Sequence, residues 1–137
     1  LGALLHDIGK SLIDPLIINK PGKLTGEEYM IVQGHVAAGM KLLENCRDAI
    51  PKNSFFPVLQ HHEKLSGFGY PHKLKEQRIH LFGRITAIVD FYDALVTDRP
   101  YRKALEPFDA LKLMYDYPGD YDHVLMRDFV VMLGGQS

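Results

Sequence analysis

The chain has 137 residues, which is enough for one hydrophobic core but not for two. Hydrophobic residues make up 46% and charged residues 24%, a globular composition that argues against intrinsic disorder. The formal net charge of −1 argues against a nucleic-acid polymer as partner. The single cysteine, Cys46, excludes an internal disulfide and indicates a reducing compartment, so we expect a cytoplasmic domain. No apolar run reaches the roughly 18 residues of a membrane span, so we expect no direct membrane insertion, although a longer parent protein could be membrane-anchored.

Hydrophobic spacing predicts an all-α fold, a bundle of about five to six helices. Apolar residues at positions 1, 4, 5 and 8 share one face of a first helix, which we expect to end near Gly9. No capping residue precedes this helix, so we expect residues 1–137 to be one domain that lacks its N-terminal helices. The segment from Pro15 to Gly22 is predicted to be a loop.

Thr25 and Glu28 form a capping box, which predicts that a second helix begins here and runs to about Asn45. This helix is expected to bury one stripe that also contains His35. The apolar members of the stripe are Ile31, Val32, Val36, Met40 and Leu43. Ser54 is predicted to cap a third helix that carries residues 61 and 62, and the glycine-rich segment 66–71 is predicted to be a loop.

The helix predicted from about Leu81 to Leu95 is apolar on nearly all sides, so we expect it at the centre of the bundle. Asp90 lies in its middle. Pro107 is expected in the first turn of a further helix, and a last helix is expected to end at the glycines 134 and 135. The sequence shows no alternation of apolar and polar residues that would predict strands.

Six ionisable residues lie in or beside these apolar segments. An unpaired buried carboxylate or imidazole costs several kcal/mol, against a total stability of about 5–15 kcal/mol for a domain. Imidazole and carboxylate groups together are ligands of divalent transition metals, and the lack of cysteine among them argues against a closed structural zinc site. We therefore predict that a metal centre is formed by His6, Asp7, His35, His61, His62 and Asp90.

The positions of these six residues favour one shared site. Asp7 and His35 are 28 positions apart, His35 and His61 are 26 apart, and the next interval, from residue 62 to residue 90, is again 28. Each interval exceeds one ordinary helix, so the residues belong to four different predicted helices. Adjacent residues on a helix point about 100° apart, so the pairs 6–7 and 61–62 suit two ions. Singly, each histidine could be a hydrogen-bonded core residue or lie on the surface, and Asp90 could pair with Arg84 or Arg99.

Several segments resemble one known family. Residues 6–10, His-Asp-Ile-Gly-Lys, resemble the core motif of the HD superfamily of metal-dependent phosphohydrolases. His-His-Glu at 61–63, followed by Gly-Tyr-Pro at 69–71, resembles the motif of its HD-GYP branch. The segments 19–25, 90–95 and 99–102 are also similar to that branch.

The resemblance implies an enzyme that hydrolyses cyclic di-GMP to linear pGpG, and often onward to GMP, with two or three divalent ions, iron or manganese. It implies that the six residues named above are metal ligands and that Asp7 bridges two ions. It also implies that Lys10, Arg99 and Arg102 bind the substrate phosphate, with Asp7 and Lys10 as the catalytic residues. The residues implied on the guanine side are Gly69, Tyr70 and Pro71.

Two other functions stay open at this point. The chain could be a different HD-type phosphohydrolase that acts on a nucleotide, on cyclic GMP-AMP or on a guanosine polyphosphate. It could also be a non-catalytic signalling module that binds a partner, such as a diguanylate cyclase or a regulatory domain. The complete set of assignable metal ligands favours an enzyme.

Overall fold

A computed structural model describes residues 1–99, 102–117 and 119–135. Within these residues the chain forms eight α-helices and no strand, which confirms the predicted all-α fold. The helices are α1 Gly2–Leu5, α2 Pro15–Ile18, α3 Gly26–Gln33, α4 His35–Glu44, α5 Phe55–Gln60, α6 Leu81–Val96, α7 Pro107–Tyr115 and α8 His123–Gly134. Short 3₁₀ helices span Ile8–Leu12, Lys52–Ser54 and Glu76–Arg78. None of the described helices combines the length and apolar character that a membrane crossing requires.

The first predicted helix is shorter than expected. It ends before His6, and a 3₁₀ helix follows after a short turn. Gly9 was predicted to end an α-helix. It lies instead within this 3₁₀ helix and is buried where the 3₁₀ helix packs against α4. An added Cβ at Gly9 would overlap the carbonyl oxygen of His35 and lie 2.5 Å from the nitrogen of Gly39. The absence of a side chain at Gly9 therefore lets the turn that carries His6 and Asp7 lie beside α4.

The predicted loop after position 14 contains the short helix α2. Pro15 begins this helix, and the side chain of Asp14 caps it by accepting a hydrogen bond from the backbone nitrogen of Leu16 at 2.9 Å. The loop prediction was wrong here because proline in a first helical turn, after a capping aspartate, favours a helix as well as a turn.

The capping box is confirmed, but the helix that it begins is interrupted. Glu28 donates its backbone N–H to Thr25 Oγ1 at 3.2 Å, and its carboxylate accepts the Thr25 N–H at 2.7 Å. The helix breaks at Gly34, so that α3 and α4 replace the single predicted helix. Ile31 is 49% exposed, contrary to the prediction, because α3 buries none of its residues while α4 packs against the first 3₁₀ helix and α5.

The third predicted helix, α5, begins after Ser54 but is not capped by its side chain, contrary to the prediction. The helix also ends at Gln60, one residue before the histidine pair. His61 and His62 therefore lie in the turn that follows α5 rather than within the helix.

Helix α6 is packed on one face only, whereas its sequence predicts burial on all sides. Its buried face contacts α5, α7 and α8. The residues of the core that α6 shares with the C-terminal helices are Ala87, Ile88, Leu95, Ala110, Met114, Tyr121 and Met126. The opposite face is 39–50% exposed at its apolar residues, which are Leu81, Phe82, Ile85 and Val89. Apolar character alone does not distinguish a central helix from one with an uncovered apolar face.

Candidate metal centre

The six predicted ligands converge between the turn after α1, the start of α4, the turn after α5 and the middle of α6. They form two overlapping groups whose ligand atoms lie within 4.8 Å of one another. The first group is Asp7, His35, His61 and His62, and the second is His6, Asp7 and Asp90. Asp7 belongs to both groups, so its carboxylate lies at the centre of the cluster.

The two oxygens of Asp7 face different histidines. Its Oδ1 lies 3.3 Å from His35 Nε2 and 3.6 Å from His61 Nε2. Its Oδ2 lies 3.4 Å from His6 Nε2, which is also 3.5 Å from Asp90 Oδ1. A carboxylate in this position can contact two cations at once, one through each oxygen.

Backbone carbonyls orient three of the four histidines. The Nδ1 atoms of His6, His35 and His61 lie 2.6, 2.6 and 2.7 Å from carbonyl oxygens, those of Ala3, Val32 and Pro57 respectively. Because a carbonyl only accepts hydrogen bonds, each of these Nδ1 atoms carries a proton and donates it. Each ring therefore turns Nε2 towards the cluster. Histidines that bind metals are usually held in this way.

The spacing of these atoms suits a shared cation. His35 Nε2 and His61 Nε2 are 3.2 Å apart and both face Asp7 Oδ1, so three potential ligand atoms point at one another. Asp7 Oδ1 and His6 Nε2 are buried and have no hydrogen-bond partner among the described residues. Ligand atoms about 2.1 Å from one ion would be separated by roughly 3.0–3.4 Å in octahedral or tetrahedral geometry. The observed spacing fits a divalent ion.

His6 and the two aspartates hold one another in their charged forms. The neighbouring carboxylates, Asp7 first and then Asp90, raise the pKa of His6 to about 10. Burial opposes ionisation of both carboxylates and is the largest single influence on each. The hydrogen bond from His6 and the other neighbouring cationic or hydrogen-bonding groups together outweigh it, so the pKa values of Asp7 and Asp90 lie below their ordinary range. In the metal-free protein His6 therefore carries a second proton, which a bound cation would have to displace.

Burial keeps two of the other histidines neutral. It lowers the pKa of His62 to about 3, and the adjacent His61 adds to this effect. Burial also lowers the pKa of His35, whose side chain is fully enclosed. Neutral imidazole is the form that binds a metal, so these two residues need lose no proton when an ion enters at neutral pH.

Lys10 lies at the edge of the cluster, as its predicted role in catalysis and phosphate binding requires. Its Nζ donates a hydrogen bond to Asp7 Oδ2 at 2.5 Å, and its side chain is 32% exposed. Lys10 is therefore both paired with the shared carboxylate and accessible from solvent.

A cleft of about 1000 Å³ opens beside the cluster. His61, His62 and Asp90 line it, and the predicted guanine-side residues Gly69, Tyr70 and Pro71 form part of its wall. Further aromatic rings line it: Tyr29, Phe68, Phe91 and Tyr121. This volume is at the upper end of the range for small-molecule sites, about 300–1,000 Å³. The cluster and the Gly-Tyr-Pro loop thus share one cleft.

The structure does not bring Arg102 into this cleft. Its guanidinium donates hydrogen bonds to the carbonyl oxygens of Ala94, Leu95 and Lys103, at 2.5, 3.0 and 2.9 Å, and so caps the C-terminus of α6. Arg99 exchanges two backbone hydrogen bonds with Arg102, and neither residue lines the cleft. Residues 100 and 101 of the same motif lie outside the described residues. A substrate-binding role for either arginine stays a prediction.

Glu63 is a residue to which the sequence assigned no role. It is 2% exposed, and its Oε1 and Oε2 accept backbone N–H groups from His72 at 2.6 Å and Leu74 at 2.8 Å. The carboxylate therefore ties the segment after Tyr70 to the turn that carries His62. The signal in the sequence was a charged residue directly after two histidines in an otherwise apolar segment.

Comparison with known proteins identifies the family. Residues 1–125 match the family model described as HD domain, and the chain belongs to this family. It is 40% identical to a cyclic di-GMP phosphodiesterase of Pseudomonas aeruginosa over 134 residues, which cover 98% of this chain and 32% of that protein. It is 42% identical to a 3'3'-cGAMP-specific phosphodiesterase of Vibrio cholerae over 98 residues, 72% of this chain and 19% of that protein.

A solved structure has the same fold. An HDG"Y"P protein from Bdellovibrio bacteriovorus superimposes with a TM-score of 0.76 and 21% sequence identity, over 97% of this chain and 42% of that one. The resemblance to the HD-GYP branch is thus confirmed. The chain spans about a third or less of the length of these curated relatives. The HD domain implies a divalent metal, and the histidine–aspartate cluster has the donors to bind one.

Proposed function

We propose that this chain carries the catalytic centre of a metal-dependent phosphodiesterase that hydrolyses cyclic di-GMP to pGpG, and onward to GMP. The observation that carries the proposal is the convergence of three ligand atoms, Nε2 of His35, Nε2 of His61 and Oδ1 of Asp7, which lie 3.2–3.6 Å from one another. Likeness to a cyclic di-GMP phosphodiesterase supports the choice of substrate.

The proposed centre holds two divalent ions. The two groups of ligand atoms support this number because they share Asp7, whose two oxygens face different histidines. The proposed ligands are His6, Asp7, His35, His61, His62 and Asp90. Their nitrogen and oxygen donors, without thiolate, suit iron or manganese. When bound, such ions neutralise phosphate charge and lower the pKa of a water molecule towards about 7.

The protein's own residues position and neutralise the substrate. Hydrolysis forms a bond between a water oxygen and phosphorus and breaks the bond from phosphorus to a ribose 3′ oxygen. Lys10, beside Asp7, is proposed to place its ammonium charge against a non-bridging phosphate oxygen. Tyr70 and the other aromatic rings of the cleft offer flat surfaces on which purine bases can stack.

Cyclic GMP-AMP is a second candidate substrate, which the 42% identity to a 3'3'-cGAMP-specific phosphodiesterase supports. Both cyclic dinucleotides contain two purine bases and two 3′,5′ phosphodiester bonds, so the same centre could act on either. A diguanylate cyclase or another regulatory domain as partner stays a prediction.

The test is a hydrolysis assay combined with metal analysis. The purified chain is loaded with Mn²⁺ or Fe²⁺, and its metal content is measured by elemental analysis. Cyclic di-GMP and 3'3'-cGAMP are then incubated separately with it, and pGpG, GMP and the other linear products are separated by chromatography. Asp7→Asn is expected to lose both metal and turnover, whereas Asp109→Asn, which changes an exposed carboxylate on α7, should retain both. A metal-loaded chain that cleaves neither dinucleotide would contradict the proposal.

A further inference from the structure

We propose that Glu63 is a positioning residue that holds the His62 ring in the metal centre, acting through Tyr70. This inference rests on the proposed metal centre. It assigns a role to a carboxylate that is no member of either donor group.

His62 is held differently from the other histidines of the cluster. Its side chain makes no hydrogen bond to any described residue, whereas the other three donate Nδ1–H to a carbonyl. Ring contacts restrain it instead. The Tyr70 ring stacks on it, with centroids 4.6 Å apart and planes inclined by 26°, and the His61 ring lies 4.0 Å away on centroids. The orientation of His62 therefore depends on where Tyr70 lies.

Tyr70 is itself fixed against the turn that carries His62. Its backbone N–H donates to the His62 carbonyl oxygen at 3.0 Å. The preceding Gly69 packs so closely that an added Cβ would overlap this same carbonyl oxygen and lie 2.5 Å from the nitrogen of Lys64. The absence of a side chain at Gly69 therefore lets the first half of the loop lie against this turn, and residues 71–74 form its second half.

Glu63 holds that second half. Its carboxylate is buried, and burial of a charge is costly unless hydrogen bonds compensate it. The compensating donors are the backbone N–H groups of His72 and Leu74, which follow Tyr70 by two and four residues. The first half of the loop is anchored separately, because Ser66 Oγ donates to Asp120 Oδ1 at 2.6 Å. Glu63 therefore acts on the part of the loop that places Tyr70.

Glu63→Gln is the variant that tests this role. Its amide keeps one acceptor oxygen but turns an NH₂ group towards a backbone N–H, so one of the two hydrogen bonds is replaced by repulsion between donors. We expect faster hydrogen exchange at the amides of His72 and Leu74. We also expect Mn²⁺ to bind about tenfold more weakly, the lower end of the effect of outer-shell partners on metal affinity. Both are measured without substrate.

Asp122→Asn is the matched control. Oδ1 of Asp122 accepts two backbone N–H groups, from Val124 at 3.0 Å and Leu125 at 3.3 Å, and Oδ2 accepts a hydrogen bond from Arg84 Nη1 at 3.1 Å. This carboxylate caps α8 and belongs to neither group of ligand atoms. We expect the variant to keep the cap, to lose stability through the weakened Arg84 contact, and to keep its Mn²⁺ affinity. A second pair covers the case in which Glu63→Gln does not fold. Tyr70→Phe keeps the stacking ring and should bind Mn²⁺ as the unmodified chain does, while Tyr70→Leu should bind it more weakly.

The outcomes separate this inference from the proposed function. If the unmodified chain binds no Mn²⁺, the metal centre and the positioning role are both overturned. If it binds Mn²⁺ and both Glu63→Gln and Tyr70→Leu match it, only the positioning role is overturned. Equal weakening by Asp122→Asn would also overturn it, since the effect would then be a general loosening of the fold.

Discussion

Gly9→Ala tests whether the close approach of the first 3₁₀ helix to α4 assembles the metal centre. An added Cβ would overlap the His35 carbonyl oxygen and lie 2.5 Å from the nitrogen of Gly39. Both are backbone atoms of α4, so neither can rotate away as a flexible side chain could. The 3₁₀ helix would have to move away from α4 by about 1 Å to relieve the overlap.

The expected cost follows from this displacement. Overpacking a well-packed contact costs about 1–3 kcal/mol, and the rigidity of the surrounding backbone favours the upper value, about 3 kcal/mol. Asp7 lies two residues before Gly9 and would move with it, away from its 3.3 Å contact with His35. Functional groups must be held to within roughly 0.5 Å, so Mn²⁺ binding should weaken by at least about tenfold.

Urea unfolding followed by far-ultraviolet circular dichroism, with a chelator present, measures the loss of stability. Titration with Mn²⁺ in the absence of urea measures the change in affinity. Gly26→Ala is the control, because an added Cβ there meets no atom within 4 Å. In the first turn of α3 it should stabilise the protein by about 0.4–1 kcal/mol. A Gly9→Ala protein with unchanged stability and unchanged affinity would refute the reasoning.

Three further predictions concern the charged residues. Asp7→Asn should lose most bound Mn²⁺, because both groups of ligand atoms share this carboxylate. Elemental analysis after dialysis measures the bound Mn²⁺, and full retention would count against a bridging role for Asp7. Arg102→Ala should lower the free energy of unfolding by about 2 kcal/mol, because it removes the hydrogen bonds that cap the C-terminus of α6. Unchanged stability with a raised KM would favour the substrate-binding role instead. The metal-free protein should be most stable near pH 6.5. Its stability should fall towards pH 10, because His6, whose folded pKa is raised to about 10, loses its proton there. Its stability should also fall towards pH 3, because in this range the unfolded chain protonates His62 while the folded chain, in which the pKa of His62 is about 3, does not. Urea unfolding measures the free energy of unfolding across this pH range, and a value that did not change with pH would contradict this reasoning.

Local signals in the sequence correctly predicted where several helices begin. The capping box at Thr25 and Glu28 and the start of α7 at Pro107 both depend on groups within four residues of one another. Interactions over so short a distance are determined by the local sequence. The break at Gly34 was not predicted, because a single glycine is tolerated inside a helix and the capping box does not determine where a helix ends.

The candidate ligands could also be found in the sequence, for a different reason. Histidines and aspartates within apolar segments conflict with the cost of burying them, so their positions alone indicate a compensating partner. That argument identified all six residues that the structure brings together. It could not predict that His61 and His62 follow the end of α5, nor which oxygen of Asp7 faces which histidine.

By itself, the sequence determined the fold class, the family and the set of polar residues that the structure brings into one cluster. Only the tertiary structure decided what Gly9, Glu63 and Arg102 do: a close packing contact, an anchor for a loop and a helix cap. Each role depends on partners whose position is set by the packing of whole helices and loops. A glycine, a glutamate or an arginine has the same local preferences wherever it lies, so its contact partners cannot be inferred until the chain is folded.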